Sequence, residues 1–133
     1  MEHKEFTAVL LEVSFAAMVC DGKIAPEEME QLRQIEAKDF YFKDFDLSKR
    51  LDELHSEFDL YRFKLVEKAL DKLYKLDFEE NQKLILIDFA LGIARADGEM
   101  QESEIKFINA LIRNTQSSSS LIKMRYGNWE VMK

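Results

Sequence analysis

Apolar positions recur every three or four residues along most of the chain, the period of a helix with one face turned inward. Phe6, Val9, Leu10, Val13, Ala17 and Cys20 predict a first helix over residues 4–20. Asp21-Gly22 ends it, with glycine where a left-handed turn costs least. Pro26 at a first helical position, with Glu27 and Glu28 near the positive end of the dipole, opens a second helix whose inward face is Met29, Leu32 and Ile35. Between Asp39 and Phe45 rings and charges alternate without a helical period, which reads as an irregular connection.

Leu47, Leu51, Leu54 and Phe58 predict a third helix over about residues 46–56, and Phe63, Val66, Leu70 and Leu73 a fourth over about 60–76. After a break at Asp77 to Asn81, Leu84, Ile87, Leu91 and Ala94 define a fifth, and Ile105, Ile108 and Leu111 a sixth. Ser117 to Ser120 read as a polar linker. Beyond it Ile122, Met124 and Tyr126 alternate with Lys123 and Arg125 before Gly127-Asn128, a hairpin signal, with a last helical turn or a docked tail as the alternatives. The expected fold is therefore all-α: one bundle of about six or seven helices over residues 1–116, then a linker and tail over 117–133.

The pattern also repeats. Asp21-Gly22, an apolar Ile24 and Glu28 return as Asp97-Gly98, Met100 and Glu104. With Asp21 laid on Asp97, Phe15 falls on Leu91, Met29 on Ile105, Leu32 on Ile108 and Ile35 on Leu111. Matching registers of this kind predict two pseudo-symmetric halves, about residues 6–37 and 82–113, each a helix, an acidic corner and a helix.

Composition narrows the choice of function. With 133 residues the chain has the length of one domain that can bury roughly two-thirds of its unfolded surface. One proline and four glycines leave long stretches unpunctuated, which favours helices over many short strands. A net charge of -7 with no basic stripe argues against nucleic acid and anionic membranes as partners, and favours cations or basic protein surfaces. No apolar span approaches the roughly 20 residues of a membrane helix. Cys20, the single cysteine, cannot form an internal disulfide and reads as buried packing. Glu2, Glu5 and Glu12 interrupt the start of the chain where a lipoprotein signal would be cationic and apolar, so the expected location is cytoplasmic.

Candidate chemistry concentrates at the two corners. Asp21, Gly22, Ile24 and Glu28 fit the fifth, sixth, eighth and twelfth positions of a calcium-binding EF-hand loop. The first and third positions would then be Ala17 and Val19, or Ile93 and Arg95 in the second copy, so the loop lacks essential ligands. There is no Gly-rich phosphate loop, Cys-x-x-Cys or Gly-x-Ser-x-Gly, and His3 and His55 do not supply the paired Glu-x-x-His of a di-iron bundle. Asp52 and His55 share a helix face as a surface pair, and no nucleophile stands beside a base, so a catalytic role is not expected. The four carboxylates Asp21, Glu28, Asp97 and Glu104 are hard oxygen donors suited to calcium or magnesium. Equally, Glu28 and Glu104 lie near the third helical position, where a carboxylate caps free backbone N–H groups.

The same residues resemble a known family. Ala16-Ala17-Met18-Val19-Cys20-Asp21-Gly22-Lys23-Ile24 with Glu28, and Ile93-Ala94-Arg95-Ala96-Asp97-Gly98-Glu99-Met100 with Glu104, are similar to the paired Ala-Asp-Gly motifs of the TerB-like tellurite-resistance family. The resemblance runs over about residues 6–113, with Cys20 where the motif usually has alanine. It implies an all-helical domain with a pseudo-twofold core, acidic motifs that bind a divalent cation, stress-response associations, and kinship with the N-terminal domains of certain membrane-anchored co-chaperones. Two readings follow. One is a non-enzymatic module that binds a cation at the four carboxylates and a protein partner. The other is a structural interaction or self-association domain without metal, in which the corners are caps and Phe40, Tyr41, Phe42 and the tail around Trp129 make the contacts.

Overall fold

The computed structural model describes residues 2–22, 27, 29–30, 32–34, 46–94 and 101–126. Helix α1, His3–Val19, is hydrophobic almost all round, and twelve of its residues from Phe6 to Val19 are buried. Only a strip through Glu5, Ala8 and Glu12 reaches solvent along its middle. Two buried hydroxyls inside it are satisfied by the preceding turn: Thr7 donates to the His3 carbonyl and Ser14 to the Leu10 carbonyl, both at 2.8 Å. A helix of this kind has to be central, since every face needs cover.

The cover comes from the other helices. Described residues 27, 29–30 and 32–34 are helical, with Leu32 buried and Met29 against the core. Helix α2 is Leu47–Tyr61, α3 Phe63–Leu73, α4 Glu80–Ala94, α5 Glu102–Asn114 and α6 Ser119–Tyr126. Among these, α4 packs most extensively on α1 and α3 follows, while α5 bridges α3 and α4. Phe15 of α1 meets Phe58 of α2 edge to face at 6.4 Å, and Phe6 meets Phe78 in the same way. The fold is all-α, with no strand among the described residues.

Local chemistry sets the helix ends. Asp46 accepts from the Lys49 N–H at 3.1 Å and caps α2. A tight corner joins α2 to α3 at Arg62, whose φ of 49° is one that glycine adopts more cheaply. Its guanidinium lies 5.3 Å over the Phe58 ring. Helix α5 ends in a Schellman motif: Gln116 takes φ 56°, and the Ser117 N–H reaches the Ile112 carbonyl at 3.1 Å. A single carboxylate, Glu12, ties three helices together, with Arg50 of α2 and Lys72 of α3 each at 3.1 Å.

Two expectations change. Phe63, placed on the inward face of its helix by spacing, is 54% exposed, because the Arg62 corner breaks the helical phase and the buried face becomes Leu65, Val66, Ala69 and Leu73. Of the alternatives left open for Ile122 to Tyr126, the helical one holds: they form the end of helix α6, which leaves Ile122 buried and Met124 84% exposed. Ser119 and Ser120 belong to the start of that helix and not to a linker. The aromatic stretch 39–45 and the tail around Trp129 lie outside the described residues.

Candidate functional site

The first acidic corner begins where α1 stops. Cys20 closes the helix in an αR conformation, buried, with its Sγ–H donating to the Ala17 carbonyl at 3.2 Å. Gly22 then takes φ 87° and returns its N–H to the Val19 carbonyl at 2.9 Å. No neighbouring atom would meet a Cβ at Gly22, so the position needs glycine for its backbone angle and not for space. This turn leaves the Asp21 side chain exposed just past the carbonyl end of α1. A carboxylate at that position stands near the negative end of the helix dipole.

The second corner shows its other half. Glu104 is 5% exposed and sits at the third position of α5, where its Oε1 accepts the Gln101 N–H at 2.7 Å. That bond satisfies a backbone donor which the first turn of a helix otherwise leaves open. Helix α4 begins in the same way with an uncharged residue: Gln82 Oε1 accepts the Glu79 N–H at 2.9 Å. Capping therefore accounts for where Glu104 points.

Glu28 and Asp97, the other members of the candidate set, lie outside the described residues. Among the described residues no three His, Cys, Asp or Glu side chains come together as a metal cluster. The donor chemistry of Asp21 and Glu104 fits a hard divalent cation, with Asp21 presented to solvent and Glu104 held in place by its cap. The Asp52 and His55 side chains are both exposed on α2.

A family model described as tellurite resistance protein TerB matches residues 4–118. The chain belongs to the TerB family. No curated protein and no solved structure matches it. The TerB match takes in α1 to α5 and both Asp-Gly corners, and it ends immediately before α6. Among the described residues of this TerB chain no helix is long and apolar enough to cross a membrane.

Helix α6 brings a cluster that the sequence did not signal. Arg125 donates to Asp88 of α4 through Nη2 at 2.6 Å and Nε at 3.3 Å, and the Tyr126 hydroxyl donates to the same carboxylate at 2.5 Å. Burial, and then the hydrogen bond to Asp88, push the Tyr126 phenol above its ordinary range. Asp88 likewise holds the Arg125 guanidinium more firmly protonated. With Ile122 buried beneath it, this clasp fixes α6 to the TerB domain. Its partners are 37 and 38 residues apart, so no local spacing could have revealed them.

Proposed function

We propose that the chain is a non-enzymatic, cytoplasmic TerB module that holds a calcium or magnesium ion at its Asp-Gly corners and presents a surface to a protein partner. The observation that carries the cation half is Asp21, an exposed carboxylate at the negative end of α1, where a cation would offset unfavourable charge. Asp21, Glu28, Asp97 and Glu104 supply the hard oxygens, and backbone carbonyls and water would complete the shell. The non-enzymatic reading rests on a sequence that offers no nucleophile beside a base. A stress-related role is proposed from the tellurite-resistance description of the family alone.

Isothermal titration calorimetry tests the cation. Saturable calcium or magnesium binding, weakened by Asp21→Asn and by Asp97→Asn, is the expected result. Absence of heat at physiological concentrations removes the cation and leaves the second reading, an interaction or self-association domain whose corners are caps. Two observations favour that second reading: Glu104 accepts a backbone N–H, and Leu60, Tyr61 and Phe63 lie exposed together around the α2–α3 corner.

A further inference from the structure

Helix α6 stands apart from the family domain. The TerB match ends at residue 118, α6 begins at Ser119, and the extensive helix pairs of the fold all lie within α1 to α5. Among the described side chains of α6 only Ile122 is fully buried, and Ser120, Lys123, Met124 and Arg125 are exposed. The clasp on α4 is its other hold: among the described residues every hydrogen bond to the Asp88 carboxylate comes from Arg125 or Tyr126. A helix of eight residues does not persist alone in water, so α6 forms only where it has a seat.

That seat is apolar around one charge. Helix α4 carries Leu84-Ile85-Leu86-Ile87 before Asp88 and Phe89-Ala90-Leu91 after it, so it needs cover on nearly every side, as α1 does. Leu84 and Ile85 stand one turn before Asp88 on the same face and are half-buried. Helix α6 follows this stretch of α4. Lys83 Nζ donates to the Gln116 carbonyl at 3.4 Å at one end, and Arg125 and Tyr126 reach Asp88 at the other. The seat thus takes an apolar side chain, then a cation three positions on and a phenol four positions on. Of the four tyrosines in the chain only Tyr126 follows a basic residue, so α6 is the one segment of this sequence with that signature.

The connection into α6 is short and bent. Only residues 115–118 separate it from α5, and within them Gln116 takes φ 56°, a left-handed conformation that disfavours a side chain. Short hinges under strain favour exchange of the element they carry. When Gln116 relaxes to an extended conformation the connection straightens and α6 leaves its own seat. A second copy restores every contact that opening breaks, so the hinge is the main difference between a closed monomer and an exchanged dimer.

We infer that α6 is an exchangeable arm: it opens at Gln116 and docks on the Asp88 seat of a second copy, whose own α6 docks in return, giving a two-fold dimer. The inference rests on the self-association reading above and is independent of the cation.

Sedimentation velocity of the intact chain in EDTA tests it. The dimer grows with protein concentration, because the tethered arm competes with the arm of the second copy. Asp88→Arg alone sets two cations at the clasp, and Arg125→Asp alone two carboxylates, so in each variant the arm undocks and the chain is monomeric. Mixed in equal amounts the two variants dimerise at about tenfold or more above either alone, because each arm now meets the opposite charge on the other chain. Native mass spectrometry with one variant isotope-labelled identifies that dimer as mixed. Gln116→Pro leaves the seat and clasp residues in place but bars the left-handed turn, and it raises the dimer fraction. The inference is overturned if the mixture stays monomeric, or if Gln116→Pro leaves the dimer fraction unchanged. It is also overturned by a dimer that forms equally in either single variant. Such a dimer uses another surface and leaves the self-association reading standing, whereas an unsubstituted chain that is monomeric at every concentration removes both.

Discussion

Replacing Glu104 with alanine isolates the contribution of the second corner to stability. Its Oε1 accepts the Gln101 N–H at 2.7 Å from a nearly buried position, and a hydrogen bond with one charged member contributes about 1.5–3 kcal/mol net. The carboxylate also lies in the first turn of α5, where the dipole adds about 0.3–1 kcal/mol. Losing both, Glu104→Ala costs about 2–3 kcal/mol, and the melting temperature falls by roughly 8 °C for a chain of this size. Glu104→Gln keeps an acceptor, as Gln82 does at α4, and costs about 1 kcal/mol. Urea denaturation in EDTA measures both with no cation contributing. A loss under about 0.5 kcal/mol for the alanine variant would mean that the Gln101 N–H finds another acceptor and the cap is dispensable.

Gln116→Gly removes the strain of a non-glycine residue at φ 56° and raises stability by about 0.5–1 kcal/mol in the same urea assay. Phe58→Ala empties the contact with Phe15 and the platform under Arg62, at a cost of about 3–5 kcal/mol by thermal or urea unfolding. Ultraviolet titration shows Tyr126 ionising above the ordinary tyrosine range, and Asp88→Asn brings it earlier. Because its phenol is raised in the fold, the stabilisation it adds is complete below the unfolded value of about 10 and is lost as pH rises above that.

Periodicity located the helices because each one buries a face, and burial is what spacing encodes. Residues 4–20 correspond closely to α1, His3–Val19, and Leu51, Leu54 and Phe58 are buried as their interval requires. Periodicity alone could not place Phe63, since the phase restarts at a corner made by Arg62, a residue that carries no turn signal. It could not separate strand from helix for Ile122 to Tyr126 either, because an eight-residue helix anchored mainly by Ile122 shows little helical pattern. At the acidic corners the sequence left capping and cation binding both open for Glu104, and the bond to Gln101 establishes the capping role. The Glu12 network and the Asp88 clasp were invisible, since each joins residues from helices far apart in the chain.

The burial of α1 on nearly every side also has a bearing on synthesis. Its largest cover, α4, ends 75 residues after Val19, so at about 5–20 residues per second the ribosome completes that cover roughly 4–15 s after making α1. For that interval a strongly apolar segment lacks its largest native surface. Until that cover is complete α1 is the segment most exposed to aggregation, and a holding chaperone has a defined target in it.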